Sequence, residues 1–544
     1  MHKVMNKKFQ IITAVPLLIF CNGMSAFPIK ESKVSKPNVI FILVDDVSPA
    51  WFPPYAKQLK GDELEAEIVE EYAKTYARTG LNLEKHLEAA RNSMPFLDKL
   101  SEQGTIFNMC FTTASLCAPS RSGILSATYQ QRYGGYDIVD IEEVGVPKQF
   151  PFLTKQFSEN GYKTAMIGKW HVGKWDDRLN PKGAKVVEGK FVNEYGFQSS
   201  CAPGESPLDN GFDYYFGYNN HSSWDYEAED LWEGWNRVPQ RPAGEFLTEL
   251  FNNKAAEFIE KSIQENKPFF VYYAPKTLHG RIDPPPVKFS SKFDTGTTFT
   301  NNYAGHLLAL DEGIRNIYSI LEKSGQDKNT IFIISSDNGS PSPIPPYNAP
   351  FKGGKGTGWL GGSHTPLIIV WPDHTKHQLV NELVSTMDIL PTVLDFVGIK
   401  VPENNDGKSL KPLLTGKTDK SPHDILFSSG LHSTRWSHSY IGEKSKKDSK
   451  ACPLFTWAID RENVLLMITE TPKGLYTILP GGLPEQTLFT NWKDDPKQTH
   501  NLYESKNAEA QSQKFRIYEW LKQLSEPVLN HQDDYYELLK MSKK

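Results

Sequence analysis

The chain has 544 residues, of which 39% are hydrophobic and 23% charged, with a formal net charge of −5. That length suffices for a large core and more than one domain, and the composition is that of a soluble globular protein. The charge argues against a nucleic-acid partner, which would demand a basic stripe.

In chain order, residues 1–26 read as an export signal. Lys3, Lys7 and Lys8 form a basic start, Ile11–Phe20 is apolar, and Met24-Ser25-Ala26 is a cleavage site of small residues. The expected location is periplasmic or secreted. An alternative is lipid attachment at Cys21, although Phe20 before it fits a lipobox poorly. The apolar run is too short to anchor the chain across a bilayer, and no later segment is long and apolar enough, so no transmembrane anchor is expected.

Asn38–Val44 is a nearly continuous apolar run that ends in Asp45-Asp46. A run apolar on both faces is what a strand buried between helix layers needs. Residues 51–91 form a charged segment with helical pattern over Asp62–Ala77 and Leu83–Arg91. It reads as a solvated surface insertion, with a lid or oligomer contact as the alternative. Helices are expected over Met94–Gln103, Leu153–Asn160, Glu245–Gln264 and Tyr303–Ser324, and buried strands at Phe269–Tyr273, Ile331–Ile334 and Leu367–Val370. Thr386–Gly398 reads as another helix, with Pro391 near its first turn. Beyond about residue 420 the apolar runs shorten, as in Asn463–Ile468 and Leu475–Leu479, and Gln511–Leu524 is helical. Alternating strands and helices predict an α/β fold. The expected architecture is a large α/β/α sandwich around a mostly parallel mixed sheet over residues 36–415. A smaller C-terminal α+β domain with an antiparallel sheet follows over 420–544.

Four cysteines follow the signal, Cys110, Cys117, Cys201 and Cys452. They are too few for a disulfide scaffold in a chain this long.

Ligands in α/β sheets bind beyond the carboxyl ends of strands. Asp45-Asp46 and Asp337-Asn338 both sit at such ends, so they can converge although almost 300 residues apart. Each alone would be an ordinary turn or helix start. Together they form a set of hard oxygen ligands suited to calcium or magnesium, and no Cys/His spacing for zinc is present. In Gly168-Lys-Trp-His171, Lys169 and His171 are two apart on an extended chain and so point the same way. Such a pair can bind an oxyanion and relay protons. Lys355 lies in a glycine-rich loop without the Gly-Lys-Ser/Thr spacing of a nucleotide phosphate loop.

Cys117 is followed by Pro119, Ser120 and Arg121. This Cys-x-Pro-Ser-Arg core resembles the maturation signal of the type I, formylglycine-dependent sulfatases of the alkaline phosphatase superfamily. Residues 161–173 match the second signature of that family, and the Lys355 loop is similar to one that carries a sulfate-contacting lysine. Gly211-Phe-Asp, Asp388-Ile-Leu-Pro-Thr, Asp406-Gly, Asp494-Asp-Pro and Asn501-Leu extend the resemblance over nearly the whole chain. There are two departures. Leu360 stands where the family usually has Glu, and Ser126-Ala127 stands where it usually has Thr-Gly.

The resemblance implies an exported sulfate-ester hydrolase acting on a sulfated glycan. Cys117 would be converted to formylglycine by a formylglycine-generating or sulfatase-maturing enzyme. One calcium ion would be held by Asp45, Asp46, Asp337, Asn338 and residue 117. Arg121 would hold the formylglycine hydroxyl, Lys169 and Lys355 would neutralise sulfate charge, and His171 would take a proton. The leaving-group acid falls on His279 or Lys276, depending on the alignment. His279 is favoured, because imidazole donates protons near neutral pH. His221 and Trp224 are candidate sugar contacts.

Three rival readings compete with it. One is a phosphonate or phosphodiester hydrolase of the same superfamily. Another is a cysteine phosphatase, weakened because Gly123 stands where an arginine six residues after the cysteine is needed. The third is a glycan-binding protein with an inactive site.

Overall fold

Asn38–Val44 (β1) buries all seven side chains. The alternation of a strand divides them between two cores. Ile40, Ile42 and Val44 enter one apolar cluster, and Val39, Phe41 and Leu43 enter another. A strand with two buried faces can only sit between two helix layers. The computed structural model describes residues 36–61, 82–174, 185–187, 190–192, 201–219, 225–226, 231–238, 244–280, 282–342, 344–431, 454–469 and 486–525.

The main sheet continues through Thr105–Phe111 (β2), Lys163–Lys169 (β3) and Tyr214–Tyr218 (β4). The hairpin strands Trp232–Glu233 (β5) and Asn236–Arg237 (β6) come next, followed by Phe269–Ala274 (β7) and Thr330–Ser336 (β8). His364–Val370 (β9), Gln378–Val380 (β10) and Val384–Ser385 (β11) complete it. The strand order is β10-β2-β9-β8-β1-β7-β3-β4-β5-β6, with β11 also on β2. Strands β8, β1, β7, β3 and β4 are mutually parallel. Strand β9 runs antiparallel to both β8 and β2. Two antiparallel steps return β2 to the common direction, so its carboxyl end reaches the same edge as those of β8, β1, β7 and β3.

The helices used below are Leu83–Arg91 (α1), Pro95–Ser101 (α2), Cys117–Ser126 (α3), Ile138–Val144 (α4), Leu247–Gln264 (α5), Thr298–Ser324 (α6), Ile389–Phe396 (α7) and Asn507–Leu521 (α8). Side chains of α1, α2, α5 and α6 fill the first cluster, and those of α3, α4 and α7 fill the second. This is the α/β/α sandwich expected. A separate antiparallel sheet is formed by Ile425–Leu431 (β12), Leu454–Asp460 (β13), Asn463–Thr469 (β14) and Gln486–Asn491 (β15). A third cluster, with Trp457, Leu466 and Phe489, joins it to Phe111, Phe351 and Leu360 of the main layer. Helix α8 closes that cluster, with Trp520 stacked on Phe427 at 5.0 Å between ring centroids.

Several elements differ from the expectations. Pro95 starts α2 one residue later than Met94, and only Lys155–Glu159 of the 153–160 helix forms. Helix α6 begins at Thr298, where the Thr297 side chain accepts from Thr300 N–H. The surface reading of 51–91 does not hold at its ends. Trp51, Phe52, Tyr55 and Ala56 are buried, and α1 buries His86, Leu87, Ala89 and Ala90. Trp51 packs on Tyr303 at 4.6 Å, which makes it core. The 62–77 helix, the 1–26 signal and Leu475–Leu479 lie outside the described residues.

One glycine is demanded by the sheet. Gly168, one residue before Lys169, has φ +110, and a Cβ there would lie 2.0 Å from Ala274 O on β7. Gly168→Ala is expected to destabilise the protein by about 2–3 kcal/mol through backbone strain and overpacking. Urea unfolding measures this, and an unchanged midpoint would refute the tight β3–β7 approach.

Candidate active site

The carboxyl ends of β8, β1, β7 and β3 lie side by side, and each delivers a polar residue. Strand β1 hands on to Asp45 and Asp46, β8 to Asp337 and Asn338, β3 ends on Lys169, and β7 leads through Pro275 to Lys276 and His279. Strand β2 ends at Phe111, and six residues later Cys117 opens α3. The loop carrying Lys355 precedes β9 and is tied to the Cys117 loop by Gly356 N–H donating to Ser115 O at 2.8 Å. Residues separated by as many as 309 positions, as Lys355 is from Asp46, thus meet at one edge of the sheet.

Arg121 is the centre of the cluster. It lies one helical turn after Cys117, on the same face of α3. Its guanidinium is wholly buried. Nε donates to Asp337 Oδ2 at 2.9 Å and Nη1 to Lys169 O at 3.0 Å, while Nη2 lies 2.9 Å from Asp337 Oδ2 and 3.2 Å from Asp45 Oδ1. Ser120 beside it donates to Asp337 O at 2.5 Å. Lys169 Nζ contacts both Asp45 oxygens at 3.0 and 3.2 Å. Lys355 Nζ contacts both Asp46 oxygens at 2.7 and 2.8 Å. Asn338 Nδ2 donates to Asp46 Oδ1 at 2.7 Å, and Asp46 N–H to Asp337 Oδ1 at 3.1 Å. Three buried carboxylates therefore face three buried cations.

The electrostatics follow from that arrangement. Burial opposes ionisation of Asp337, but Arg121, Lys169 and Lys355 outweigh it and hold the carboxyl well below the usual range. Burial pushes Asp45 well up, against the pull of Lys169, and Asp337 adds to the rise. Burial also acts against the Lys355 ammonium, but Asp46 overcomes it and holds the charge firmly. Residue 117 lies close enough to Arg121 and Lys355 to act electrostatically on both.

The donor set fits a hard cation. Asp45, Asp46 and His279 offer ligand atoms within 4.8 Å of one another. Asn338 Oδ1 is buried and accepts no hydrogen bond. A divalent ion would satisfy that oxygen and offset the cost of burying the Asp45 carboxylate. Asp337 is less available, since its oxygens already serve Arg121 and Asp46 N–H. His279, expected only as an acid, stands 3.9 Å from Asp46 Oδ2.

The strand alternation invoked for Lys169 and His171 fails, because β3 stops at Lys169 and His171 has φ +56. Its ring instead meets Glu142 of α4, with Nε2 at 3.0 Å from Oε1. Glu142 carries no sequence signal that marks it. Lys276 forms a buried pair with Asp225 at 2.9 Å. Asp46, His171 and Thr277 all have positive φ, so left-handed backbone concentrates at this site. His221 and Trp224 lie outside the described residues. Cys110, Cys117 and Cys201 are buried and unbridged.

Both departures from the family pattern have a local account. Ala127 takes φ 51 at the end of α3, a conformation that costs a non-glycine residue about 1 kcal/mol. Its carbonyl accepts from Asp406 N–H and Gly407 N–H at 2.8 and 2.9 Å; the Asp406 side chain accepts from Tyr129 N–H at 2.9 Å, and a Cβ at Gly407 would lie 2.2 Å from Met387 O. Leu360 is buried in the cluster beneath the small sheet and does not face the site.

Burial lowers the His171 imidazole to about 4, against the pull of Glu142, and Lys169 depresses it further. The folded value lies below the unfolded one, so its contribution to stability is complete near pH 7. That contribution falls as pH drops from about 6.5 to about 4, by up to about 1.4 kcal/mol per pH unit. His171→Asn keeps a donor and tolerates positive φ. The stability gap between parent and variant is expected to move in the variant's favour over this window. Urea midpoints at pH 7 and pH 5 measure it, and a constant gap would contradict the neutral, buried imidazole.

Comparison with known proteins identifies the family. Residues 37–399 match the model of the Sulfatase family. The chain is 30% identical over 450 residues to the uncharacterized sulfatase YdeN of Escherichia coli K12, covering 77% of each. It is 29% identical over 408 residues to the N-acetylgalactosamine-6-sulfatase of Mus musculus, covering 70% of this chain and 66% of that one. In fold it is similar to Ps i-CgsB in complex with k-i-k-neocarrahexaose, at 20% identity and TM-score 0.69, covering 93% of this chain and 98% of the other. A family match across most of the chain, joined to a relative 30% identical over 77% of both chains, leads to one conclusion: this protein belongs to the sulfatase family of the alkaline phosphatase superfamily and is a sulfuric ester hydrolase.

Proposed function

We propose that the chain hydrolyses sulfate esters on a carbohydrate, with formylglycine at position 117 and a calcium ion at the Asp45–Asp46 cluster. The observation that carries this reading is the charge balance around Cys117. Three carboxylates are already neutralised by Arg121, Lys169 and Lys355. Adding a divalent cation leaves a net positive site for an anion whose charge rises as its ester breaks. Asp45, Asp46 and Asn338 would hold the ion, joined by Asp337 through its remaining lone pairs and by residue 117. When bound, calcium would polarise the sulfate oxygens and make the attacking hydroxyl more acidic.

Hydrated formylglycine offers one hydroxyl for attack on sulfur and a second through which sulfate is later expelled. A serine or thiol would instead have to release sulfate from a stable covalent ester. Arg121 orients the hydroxyls from one turn along α3. Lys169 and Lys355 neutralise the sulfate oxygens. His279 protonates the departing alcohol. Lys276 is less suited to that role, because Asp225 already holds its ammonium at 2.9 Å. His171 takes the proton from the second hydroxyl.

Carbohydrate as the carrier is supported by two similar proteins, one named for N-acetylgalactosamine 6-sulfate and one holding an oligosaccharide. His221 and Trp224 are proposed to contact the sugar. The basic, apolar and small-residue pattern of residues 1–26 supports export to the periplasm or beyond. Among the described residues no helix is long and apolar enough to cross a membrane. Cys117 is buried, so the maturation enzyme is proposed to act on the chain before it folds.

Sulfate release from an aryl sulfate and from defined sulfated oligosaccharides tests the reading. Chelation followed by dialysis is expected to abolish release, with calcium restoring it and raising Tm. Cys117→Ala is expected to lower kcat by about 10³-fold or more. Full activity in chelator would refute the metal, and full activity of Cys117→Ala would refute the nucleophile.

A further inference from the structure

The proton acceptor of the site is held at both ends. The backbone of His171 is fixed by its own N–H, which donates to Asn219 O at 3.2 Å, while Trp170 N–H donates to Tyr218 O at 3.0 Å. Its ring is fixed by Glu142, whose Oε1 lies 3.0 Å from Nε2. His171 is fully buried at the side chain, and Glu142 is 12% exposed.

Glu142 is itself rigidly placed. Helix α4 is closed at its start by Asp137, which accepts from Ile138 N–H at 2.7 Å. Asp140 accepts from Tyr136 and Asp137 N–H, both at 2.9 Å. Ile141 packs in the same cluster as Ile124 and Leu125 of α3, so α4, which carries Glu142, is docked on the helix that carries Cys117. Just beyond it, Gly145 is tight against Glu205: a Cβ there would lie 2.3 Å from Glu205 Oε2. Trp170 Nε1 donates to Glu205 O at 2.9 Å, which links the end of α4 back to the residue before His171.

We propose that Glu142 is a positioning residue: it accepts the His171 Nε2–H, fixes the imidazole as that tautomer, and leaves Nδ1 as the base that drives sulfate expulsion. This rests on the formylglycine reading above. In that step Nδ1 takes the proton of the free hydroxyl on residue 117. The O–H electron pair becomes the C=O bond, and the carbon–oxygen bond to sulfate breaks with its electron pair leaving on sulfate. The charges around the ring explain why a carboxylate is needed. Lys169 and Arg121 both disfavour an imidazolium, and Glu142 is the group that favours it. Without it, a base between two cations would hold an accepted proton poorly.

Two measurements test this. The first needs neither formylglycine nor substrate. With histidines labelled in the full-length chain carrying unmodified Cys117, the ring nitrogen shifts of His171 are expected to show Nε2–H at neutral pH. An Nδ1–H ring would overturn the proposal, whatever becomes of the sulfatase mechanism. The second uses matured enzyme and Glu142→Gln, which preserves shape and removes charge. Expulsion follows departure of the alcohol, so kcat is expected to fall about tenfold or more. KM should fall in proportion, leaving kcat/KM within about threefold of the parent. Phenol should then appear in a burst, with sulfate retained on the peptide containing residue 117. An unchanged kcat, or a kcat/KM that falls as far as kcat, would overturn the assignment. Absence of sulfate release by the parent itself would refute the formylglycine reading and leave the tautomer result standing.

Discussion

The arrangement depends on the burial of one guanidinium. Arg121 has no exposed surface, yet it touches Asp337, Asp45 and the Lys169 carbonyl. A buried charge survives only when it is paired and hydrogen-bonded, and a planar fork suits several oxygens at once. Its contacts join α3 to the ends of β8, β1 and β3. The geometry that places Cys117 is therefore the same geometry that neutralises the carboxylates. Loss of Arg121 would strip Asp337 of its direct cationic partner and leave Lys169 alone on Asp45, a penalty of about 3–5 kcal/mol for a broken buried pair. Stability and chemistry are coupled through this residue.

The second constraint is direction. Four parallel strands end at one edge, and two antiparallel steps bring β2 to that edge as well. Most functional side chains then need only a short excursion from a rigid strand or the first turns of a helix, and Lys355 reaches the edge from the long loop between β8 and β9. The positive-φ positions Asp46, His171 and Thr277 mark where the chain is bent to aim those side chains. Further motif residues hold the frame. Asp213 accepts from Thr164 N–H at 2.9 Å and sets β3 beside β4. Asp388 accepts from Ser385 N–H and Lys408 N–H at 2.9 and 2.8 Å.

Much of this was legible from residues alone. Strands β1 and β8 announced themselves as apolar runs followed by Asp45-Asp46 and Asp337-Asn338, because burial on both faces leaves no alternation to disguise them. The direction of β9 was not legible, since an apolar run has the same pattern whichever way it runs. Strand β2 was missed because Thr105, Asn108 and Cys110 interrupt its apolar content. Helix α3 was not foreseen because Pro119, Gly123 and three serines disguise it, and its residues are buried throughout. The relation between Lys169 and His171 was misread because the strand ends between them. Glu142 was invisible: its partner lies 29 residues away, and only the packing of α4 on α3 brings them together.

The central claim is that residue 117 functions as an aldehyde and not as a thiol. Peptide mass spectrometry of active, matured protein measures this directly. The account predicts that the peptide containing residue 117 carries formylglycine in place of cysteine, in proportion to specific activity. Full sulfatase activity in protein whose residue 117 is entirely unmodified cysteine would contradict it.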